Sequence, residues 1–153
     1  MEIILAENHG FCYGVKRAVE MANEAADSDG KSYTLGPIIH NPQVVGRLES
    51  KGVSPIQEVA DIDEGTMIIR SHGVGPAIYE EAEEKGLNIL DATCPHVKKA
   101  QQDAKSVIED GMTLVILGEK NHPEVKSINL WANNKGIIIE DEESAKNLQV
   151  KKK

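Results

Sequence analysis

Short apolar segments alternate with amphipathic helical segments along almost the whole chain of 153 residues. Polar turns that contain glycine separate most of them. This alternation predicts an α/β fold with small, mostly parallel sheets flanked by helices. The predicted strands are residues 3–6, 32–35, 66–69, 87–90, 113–117 and 137–139, with a further short strand or turn near Ile56. The predicted helices begin near Gly14, Pro42, Pro76, Val97, Pro123 and Asp141.

The residues best suited to chemistry collect where predicted strands give way to helices. All five histidines and both cysteines lie in or beside such turns; they are His9, Cys12, His40, His72, Cys94, His96 and His122. In a parallel α/β sheet, ligands bind outside the carboxyl ends of the strands. We therefore expect several of these turns to converge on one edge of the sheet.

Cys12 and Cys94 are the only cysteines, and each stands just before a predicted helix. The positive end of a helix dipole favours a thiolate, which is a soft metal ligand. Two thiolates do not complete a tetrahedral metal site. Taken singly, a buried cysteine is usually a small apolar residue, and a turn histidine is usually a capping or surface residue. These residues alone predict a cleft of thiols and imidazoles that suits an anion, without specifying a reaction.

Charge and hydropathy exclude some classes of function. The net charge of −8 argues against nucleic acid as a partner. Histidines and helix N-termini can still hold a small phosphate-containing ligand on an acidic protein. No apolar run approaches the roughly 20 residues that a membrane helix needs, and no signal peptide precedes the first strand pattern. The sequence therefore predicts a cytoplasmic protein without a membrane segment.

Five segments, in the same order and at similar spacing, resemble the 4-hydroxy-3-methylbut-2-enyl diphosphate reductase (LytB) family of the non-mevalonate isoprenoid pathway. They are residues 11–15 (FCYGV), 36–42 (GPIIHNP), 70–74 (RSHGV), 91–95 (DATCP) and 118–125 (GEKNHPEV). The resemblance covers almost all of this chain and about the first half of the family's length. It implies one complete α/β unit and part of a second from a three-unit cloverleaf. The first unit would be residues 1–96, including an N-terminal cluster-binding strand, and the second would be residues 97–153.

The resemblance also implies roles for six residues. The family holds a 4Fe–4S cluster with three cysteines and leaves the fourth iron open for substrate. By motif, Cys12 and Cys94 would be two of the three ligands. The substrate diphosphate would be held by His40, His72 and His122, and Glu124 would supply protons to the departing hydroxyl.

The reaction that the resemblance implies is a reductive dehydroxylation of an allylic diphosphate to isopentenyl and dimethylallyl diphosphate. A ferredoxin or flavodoxin would deliver the electrons. The family's third cysteine and its later substrate contacts are absent from this chain, so a complementing C-terminal chain would supply them. Two alternatives stay open at this point: a non-catalytic diphosphate-binding module, and a remnant that holds neither cluster nor ligand.

Overall fold

The structure is a computed structural model, and it describes residues 2–148. Six strands and six α-helices alternate along these residues, with one turn of 3₁₀-helix at Val59–Asp61. The strands are β1 (Ser32–Leu35), β2 (Val53–Ile56), β3 (Thr66–Ile69), β4 (Asn88–Asp91), β5 (Val115–Leu117) and β6 (Ile137–Ile139). The helices are α1 (Tyr13–Ala26), α2 (Pro42–Ser50), α3 (Pro76–Glu84), α4 (Pro95–Glu109), α5 (Pro123–Trp131) and α6 (Glu142–Lys146).

Four strands form one parallel sheet in the order β2-β1-β3-β4. The chain moves outward from β1 to β2 on one side, then returns to place β3 on the other side of β1. The point where the strand order reverses therefore lies between the carboxyl ends of β1 and β3, which is the usual ligand crevice of such sheets. The predicted α/β class with parallel strands is confirmed.

Strand β3 is the centre of the core, because both of its faces are covered by helices. Ile68 is fully buried on the face that packs against α1 and α2, where Ala18 and Ala22 let the helix approach closely. Met67 and Ile69 are fully buried on the opposite face, against α3 and the 3₁₀ turn. A strand buried on both faces reads as a continuous apolar run, as residues 66–69 do.

Strands β5 and β6 form a separate two-stranded parallel sheet. Helices α4 and α5 pack against each other and connect this part of the chain to the first sheet. The second sheet is poorly covered: Leu117 is 79% exposed, and Val115 and Ile137 are also exposed. The division into units at residues 1–96 and 97–153 stays a prediction.

The predicted N-terminal strand at residues 3–6 is wrong. These residues form no strand, and the side chains of Ile3, Ile4 and Leu5 are 73%, 83% and 77% exposed. A strand must find backbone partners on a neighbouring strand. None of the strands within residues 2–148 pairs with this segment. The apolar composition of residues 3–6 suits a strand, but no strand among the described residues lies beside them to pair with.

Among residues 2–148, none of the helices combines the length and the apolar character that a membrane crossing requires.

Candidate functional site

Backbone hydrogen bonds tie together the turns that follow β1, β3 and β4. The Ser71 amide and hydroxyl both donate to the Ile38 carbonyl oxygen, at 3.3 and 3.2 Å. The Cys94 amide donates to the Ser71 carbonyl oxygen at 2.9 Å. Since His40 follows Ile38 and His72 follows Ser71, these bonds hold two histidine turns and one cysteine turn side by side.

Three histidines from different turns meet in one cluster. The ring centres of His40 and His72 are 4.5 Å apart, and the His122 ring lies 6.0 Å from His40 and 5.6 Å from His72. One ring nitrogen from each lies within 4.8 Å of the others. His40 and His72 follow β1 and β3, so they flank the strand-order reversal. The expected convergence on one edge of the sheet is confirmed for His40 and His72, whereas His122 joins them from the loop after β5 in the second sheet.

The other two histidines stand apart from the cluster. His9 is exposed, and its Nδ1 lies 2.8 Å from the Ala6 carbonyl oxygen. His96 is exposed in the first turn of α4. A place beside a strand end was therefore not enough to bring a histidine into the site.

His72 is the most perturbed member of the cluster. Burial, followed by the charges of His40, Arg70 and His122, lowers the pKa of His72 from its ordinary 6.5 to about 4. Its Nδ1 atom is buried and has no hydrogen-bond partner among the described residues. A buried polar atom without a partner costs roughly 1–3 kcal/mol. A negatively charged ligand between the rings would offset both the missing bond and the factors that disfavour a charged His72 ring.

His122 is the N-cap of α5, and this position determines which ring nitrogen faces outward as a donor. The Glu124 amide donates to His122 Nδ1 at 3.2 Å. An accepting Nδ1 carries no proton, so the proton of the neutral ring lies on Nε2. An Nε2–H group donates a hydrogen bond to an anion and cannot at the same time ligate a metal. The cluster therefore fits an anion better than a cation.

Glu124 lies in the first turn of the same helix and is partly buried. Its backbone bond to His122 fixes the start of the helix on which its carboxylate is carried. The predicted proton donor thus stands two residues from the third imidazole of the cluster.

Both cysteines are free and occupy N-cap positions, Cys12 on α1 and Cys94 on α4. Cys12 is exposed and Cys94 is partly buried. Gly14, in the first turn of α1, lies so close to Cys94 that a Cβ atom added there would overlap its sulfur. The N-terminus of α1 therefore packs directly on the Cys94 side chain. The contact is made by Gly14, which lies two residues after Cys12.

Arg17 on α1 reinforces this contact between the two cysteine segments. Its guanidinium donates to the carbonyl oxygens of Thr93 and Asp91, at 3.2 and 3.3 Å. The Thr93 amide in turn donates to the Asp91 carboxylate at 3.0 Å, which shapes the turn before Cys94. Arg17 was not singled out from the sequence, because an arginine on an amphipathic helix ordinarily faces solvent.

A cavity of about 220 Å³ joins the cysteine segment to the histidines. Phe11 and Val15, on either side of Cys12, form one wall, and His40 and His72 form part of the other. Neither cysteine lines this cavity; Cys12 follows Phe11 in the chain, and the Cys94 amide is bonded to the Ser71 carbonyl oxygen.

A buried polar network behind the cluster was missed from the sequence. Gln101 on α4 is 1% exposed, and its amide donates to the Ser127 hydroxyl on α5 at 3.2 Å. The Ser127 hydroxyl lies 2.8 Å from the His72 carbonyl oxygen. The Trp131 indole donates to the Val74 carbonyl oxygen at 2.9 Å. These bonds fix α5, which carries His122, against the loop that carries His72.

The pKa of His72 predicts a specific acid sensitivity. The unfolded chain protonates this imidazole near pH 6.5, whereas the folded chain resists protonation until about pH 4. As the pH falls through that window, the unfolded state binds more protons, so stability is lost. We expect a loss of about 1 kcal/mol after allowance for solvent screening. Urea denaturation of the wild type and His72→Asn between pH 7 and pH 4 measures it; identical pH profiles would contradict the assignment.

Replacement of Gly14 by alanine is expected to disturb the cysteine contact. The new Cβ would overlap the Cys94 sulfur, so we expect a loss of about 1–3 kcal/mol from overpacking, together with a changed rate of Cys94 alkylation. Gly46→Ala is the matched control, because Gly46 lies in α2 with open space at its Cβ position. That control should stabilise the helix by about 0.5–1 kcal/mol. Equal stability of both variants would show that Gly14 does not pack on Cys94.

The fold and the site define this chain as an α/β protein in which three imidazoles cluster, two of them from turns at the carboxyl edge of a parallel sheet, beside the turn that carries Cys94. The model of one protein family, described as LytB protein, matches residues 3–153. The chain belongs to the LytB family.

Two relatives show how much of the family's length is present. A 4-hydroxy-3-methylbut-2-enyl diphosphate reductase of Geobacter metallireducens is 51% identical over 153 residues, which are 100% of this chain and 54% of that protein. The reductase of Geotalea uraniireducens is 52% identical over 139 residues, which are 91% of this chain and 49% of that protein. The chain spans about half the length of the curated relatives it matches.

Solved structures show the same relation. A structure of (E)-4-hydroxy-3-methyl-but-2-enyl diphosphate reductase, described as the terminal enzyme of the non-mevalonate pathway, has 47% identity and a TM-score of 0.81, over 95% of this chain and 53% of that one. The E-1-hydroxy-2-methyl-but-2-enyl-4-diphosphate reductase of Plasmodium falciparum has 31% identity and a TM-score of 0.90, over 95% of this chain and 46% of that one. The fold is therefore that of the N-terminal part of these reductases.

Proposed function

We propose that this chain provides the N-terminal part of a 4Fe–4S reductase that removes the hydroxyl of 4-hydroxy-3-methylbut-2-enyl diphosphate, giving isopentenyl and dimethylallyl diphosphate. The observation that carries the proposal is the packing of His40, His72 and His122 beside the segments that hold Cys12 and Cys94. Membership in the LytB family and the names of the relatives supply the reaction class.

Thiols are the kind of ligand that an iron–sulfur cluster needs, but two of them are fewer than the three cysteines that the family uses. Cys12 and Cys94 are free, are held close by Gly14 and Arg17, and are the soft ligands that such clusters prefer. The cluster, when bound, would supply electrons and an iron to the substrate hydroxyl. A further ligand has to come from outside residues 1–153, since the chain holds two cysteines.

The three imidazoles would hold the diphosphate. His122 presents Nε2–H as a donor because its Nδ1 accepts the Glu124 amide. The buried Nδ1 of His72 lacks a partner among the described residues, and burial lowers the pKa of His72; a bound anion would offset that effect. The N-termini of α2 and α5 begin beside His40 and His122, so their dipoles also favour negative charge there.

Glu124 would deliver a proton to the departing hydroxyl. It is partly buried, begins the helix that carries His122, and has a backbone fixed by the bond to that imidazole. A carboxyl group on a rigid helix start can be aimed more reproducibly than one on a free loop.

A complementing C-terminal chain would cover the apolar residues that remain exposed. Ile3, Ile4 and Leu5 are nearly fully exposed, and Leu117 on β5 is 79% exposed. Large exposed apolar side chains that gather in one segment mark interaction sites. Since the curated relatives are about twice as long, we propose that the missing half of the family's length pairs with residues 3–5 and covers the β5–β6 sheet. A ferredoxin or flavodoxin would donate electrons to the assembled protein.

A second candidate function is a diphosphate-binding module without a cluster. It is favoured by one observation, namely that the imidazole cluster is assembled by contacts of Gln101, Ser127 and Ser71 that involve neither thiol. Binding of inorganic pyrophosphate that survives Cys12→Ser and Cys94→Ser, in a protein that never gains iron, would support this alternative.

The reductase proposal is tested by assembly from two chains. The 153-residue chain and the C-terminal half of the Geobacter metallireducens relative are expressed separately, mixed and reconstituted anaerobically with iron and sulfide. Supplied with 4-hydroxy-3-methylbut-2-enyl diphosphate and a low-potential reductant, the mixture is expected to form both five-carbon products, and each half alone is not. A complex that gains the cluster and binds the substrate without forming product would overturn the proposal.

A further inference from the structure

Arg70 is a half-buried cation that pairs with no anion within residues 2–148. It follows β3, and its Nε atom is buried with no hydrogen-bond partner among the described residues. None of the ion pairs within residues 2–148 involves it. Burial lowers the pKa of Arg70, and no acidic neighbour opposes that effect. A charge that is removed from water is ordinarily paired with an opposite charge, and the Arg70 guanidinium has no such partner among the described residues.

A cavity of about 260 Å³ opens beside Arg70. It lies between the end of β1, the loop after β3 and the exposed side of α5. Lys126 on α5 and Gln57 after β2 also line it, and no Asp or Glu does. Lys126 is exposed and takes part in none of the ion pairs among the described residues. The cavity thus gathers two unpaired cations and one amide on a protein whose net charge is −8.

This cavity is separate from the one that the histidines line. The histidine cavity is bounded by Phe11, Val15, Ile39, His40, Asn41, Ser71 and His72, and none of these residues lines the Arg70 cavity. The loop after β3 contributes to both, through Ser71 and His72 on one side and through Gly73 and Val74 on the other.

We propose that the Arg70 cavity is a second anion site, which binds a small oxyanion of the phosphate class. The planar guanidinium of Arg70 presents a fork of donors that matches two oxygens of such an anion. Lys126 adds a point charge from α5, and the Gln57 amide adds a neutral donor. The site does not depend on the thiols, the cluster or the reductase activity, so its failure would leave the proposed function untouched.

Trp131 provides a reporter that distinguishes this site from the histidine site. Its indole N–H donates to the Val74 carbonyl oxygen, and both Val74 and the adjacent Leu130 line the cavity. It is the only tryptophan in the chain. A bound oxyanion should therefore shift the Trp131 indole resonance, whereas an anion at the histidines should shift the imidazole resonances of His40 and His72.

The test is a nuclear magnetic resonance titration of the 153-residue chain with inorganic phosphate, with chloride keeping ionic strength constant. We expect a saturable shift of the Trp131 indole resonance that persists in His40→Ala. Lys126→Met should weaken the phosphate affinity by about tenfold, and Arg70→Gln should weaken it by more than tenfold. Lys135→Met, which removes an exposed lysine outside the cavity, should leave the affinity unchanged.

Two results would overturn the proposal. One is a Trp131 resonance that does not saturate with phosphate while the imidazole resonances do. The other is saturation that Lys126→Met leaves unchanged; because Lys126 is exposed, that variant tests the site even if Arg70→Gln fails to fold. A parallel titration with acetate separates a phosphate site from a general carboxylate site: an acetate affinity equal to that of phosphate would contradict the assigned class.

Discussion

Replacing Cys94 by serine is expected to reduce the iron and sulfide bound by the complemented protein to background. A neutral hydroxyl is a poor substitute for a thiolate ligand of an iron–sulfur cluster. The sulfur of Cys94 lies against Gly14, at the start of the helix that Cys12 caps, so losing it removes one side of the proposed cluster site. Iron and sulfide analysis after anaerobic reconstitution measures the effect.

Two further variants give this experiment its control and its replicate. Cys12→Ser should cause the same loss, since the chain has no third cysteine that could replace the lost ligand. His96→Gln changes an exposed residue two positions after Cys94, outside the imidazole cluster, and should keep the iron and sulfide content of the wild type. Normal iron and sulfide content in both serine variants would contradict the proposal that Cys12 and Cys94 are ligands of the iron–sulfur cluster.

Removing imidazoles from the cluster of His40, His72 and His122 is expected to weaken the binding of inorganic pyrophosphate. A hydrogen bond to a charged group contributes about 1.5–3 kcal/mol, which is a factor of about 10–100 in affinity. His40→Ala removes one exposed ring and should weaken binding by about tenfold. Adding His72→Asn should bring the total loss to about a hundredfold or more. Isothermal titration calorimetry at constant ionic strength measures both constants.

The matched control for these variants is His9→Ala. His9 is exposed and lies outside the cluster, so pyrophosphate should bind this variant with wild-type affinity. If His9→Ala and His40→Ala weakened binding equally, the anion would be attracted non-specifically by exposed basic side chains rather than held by the three imidazoles.

The regular elements were predictable where local chemistry and tertiary packing agree. A helix was expected to begin near Pro42, and it does, with the Asn41 side chain accepting the Val44 amide at 3.1 Å. Residues 66–69 were expected to form a buried strand, and Met67, Ile68 and Ile69 are fully buried. In both places the composition favours a single local structure, which the surrounding packing also supports.

The N-terminal segment shows where local pattern is insufficient. Residues 3–6 have the composition of a buried strand, but strand formation depends on a second backbone, and residues 2–148 do not provide one. Composition records that a segment is suited to burial; it does not record which chain buries it.

The candidate site was predictable in its parts and less so in its supports. The turns that bear His40 and His72 follow strands of one parallel sheet, so their meeting followed from the topology, whereas His122 follows β5 in the second sheet. Gln101 could have been noticed, because it stands on the apolar side of α4 near Val97 and Ala104 and is buried with them. The unpaired state of Arg70 could not have been predicted from the sequence, because it depends on where the fold places the acidic side chains.

One measurement tests most directly whether the thiols and the imidazoles form a single site. Pulsed electron–nuclear double resonance on the reduced, cluster-loaded complemented protein detects phosphorus nuclei that lie close to the cluster. With inorganic pyrophosphate bound, we predict a phosphorus coupling that is lost in His40→Ala combined with His72→Asn. Pyrophosphate that binds by calorimetry, yet gives no phosphorus coupling to the cluster, would show that anion and cluster occupy different places and would contradict the account.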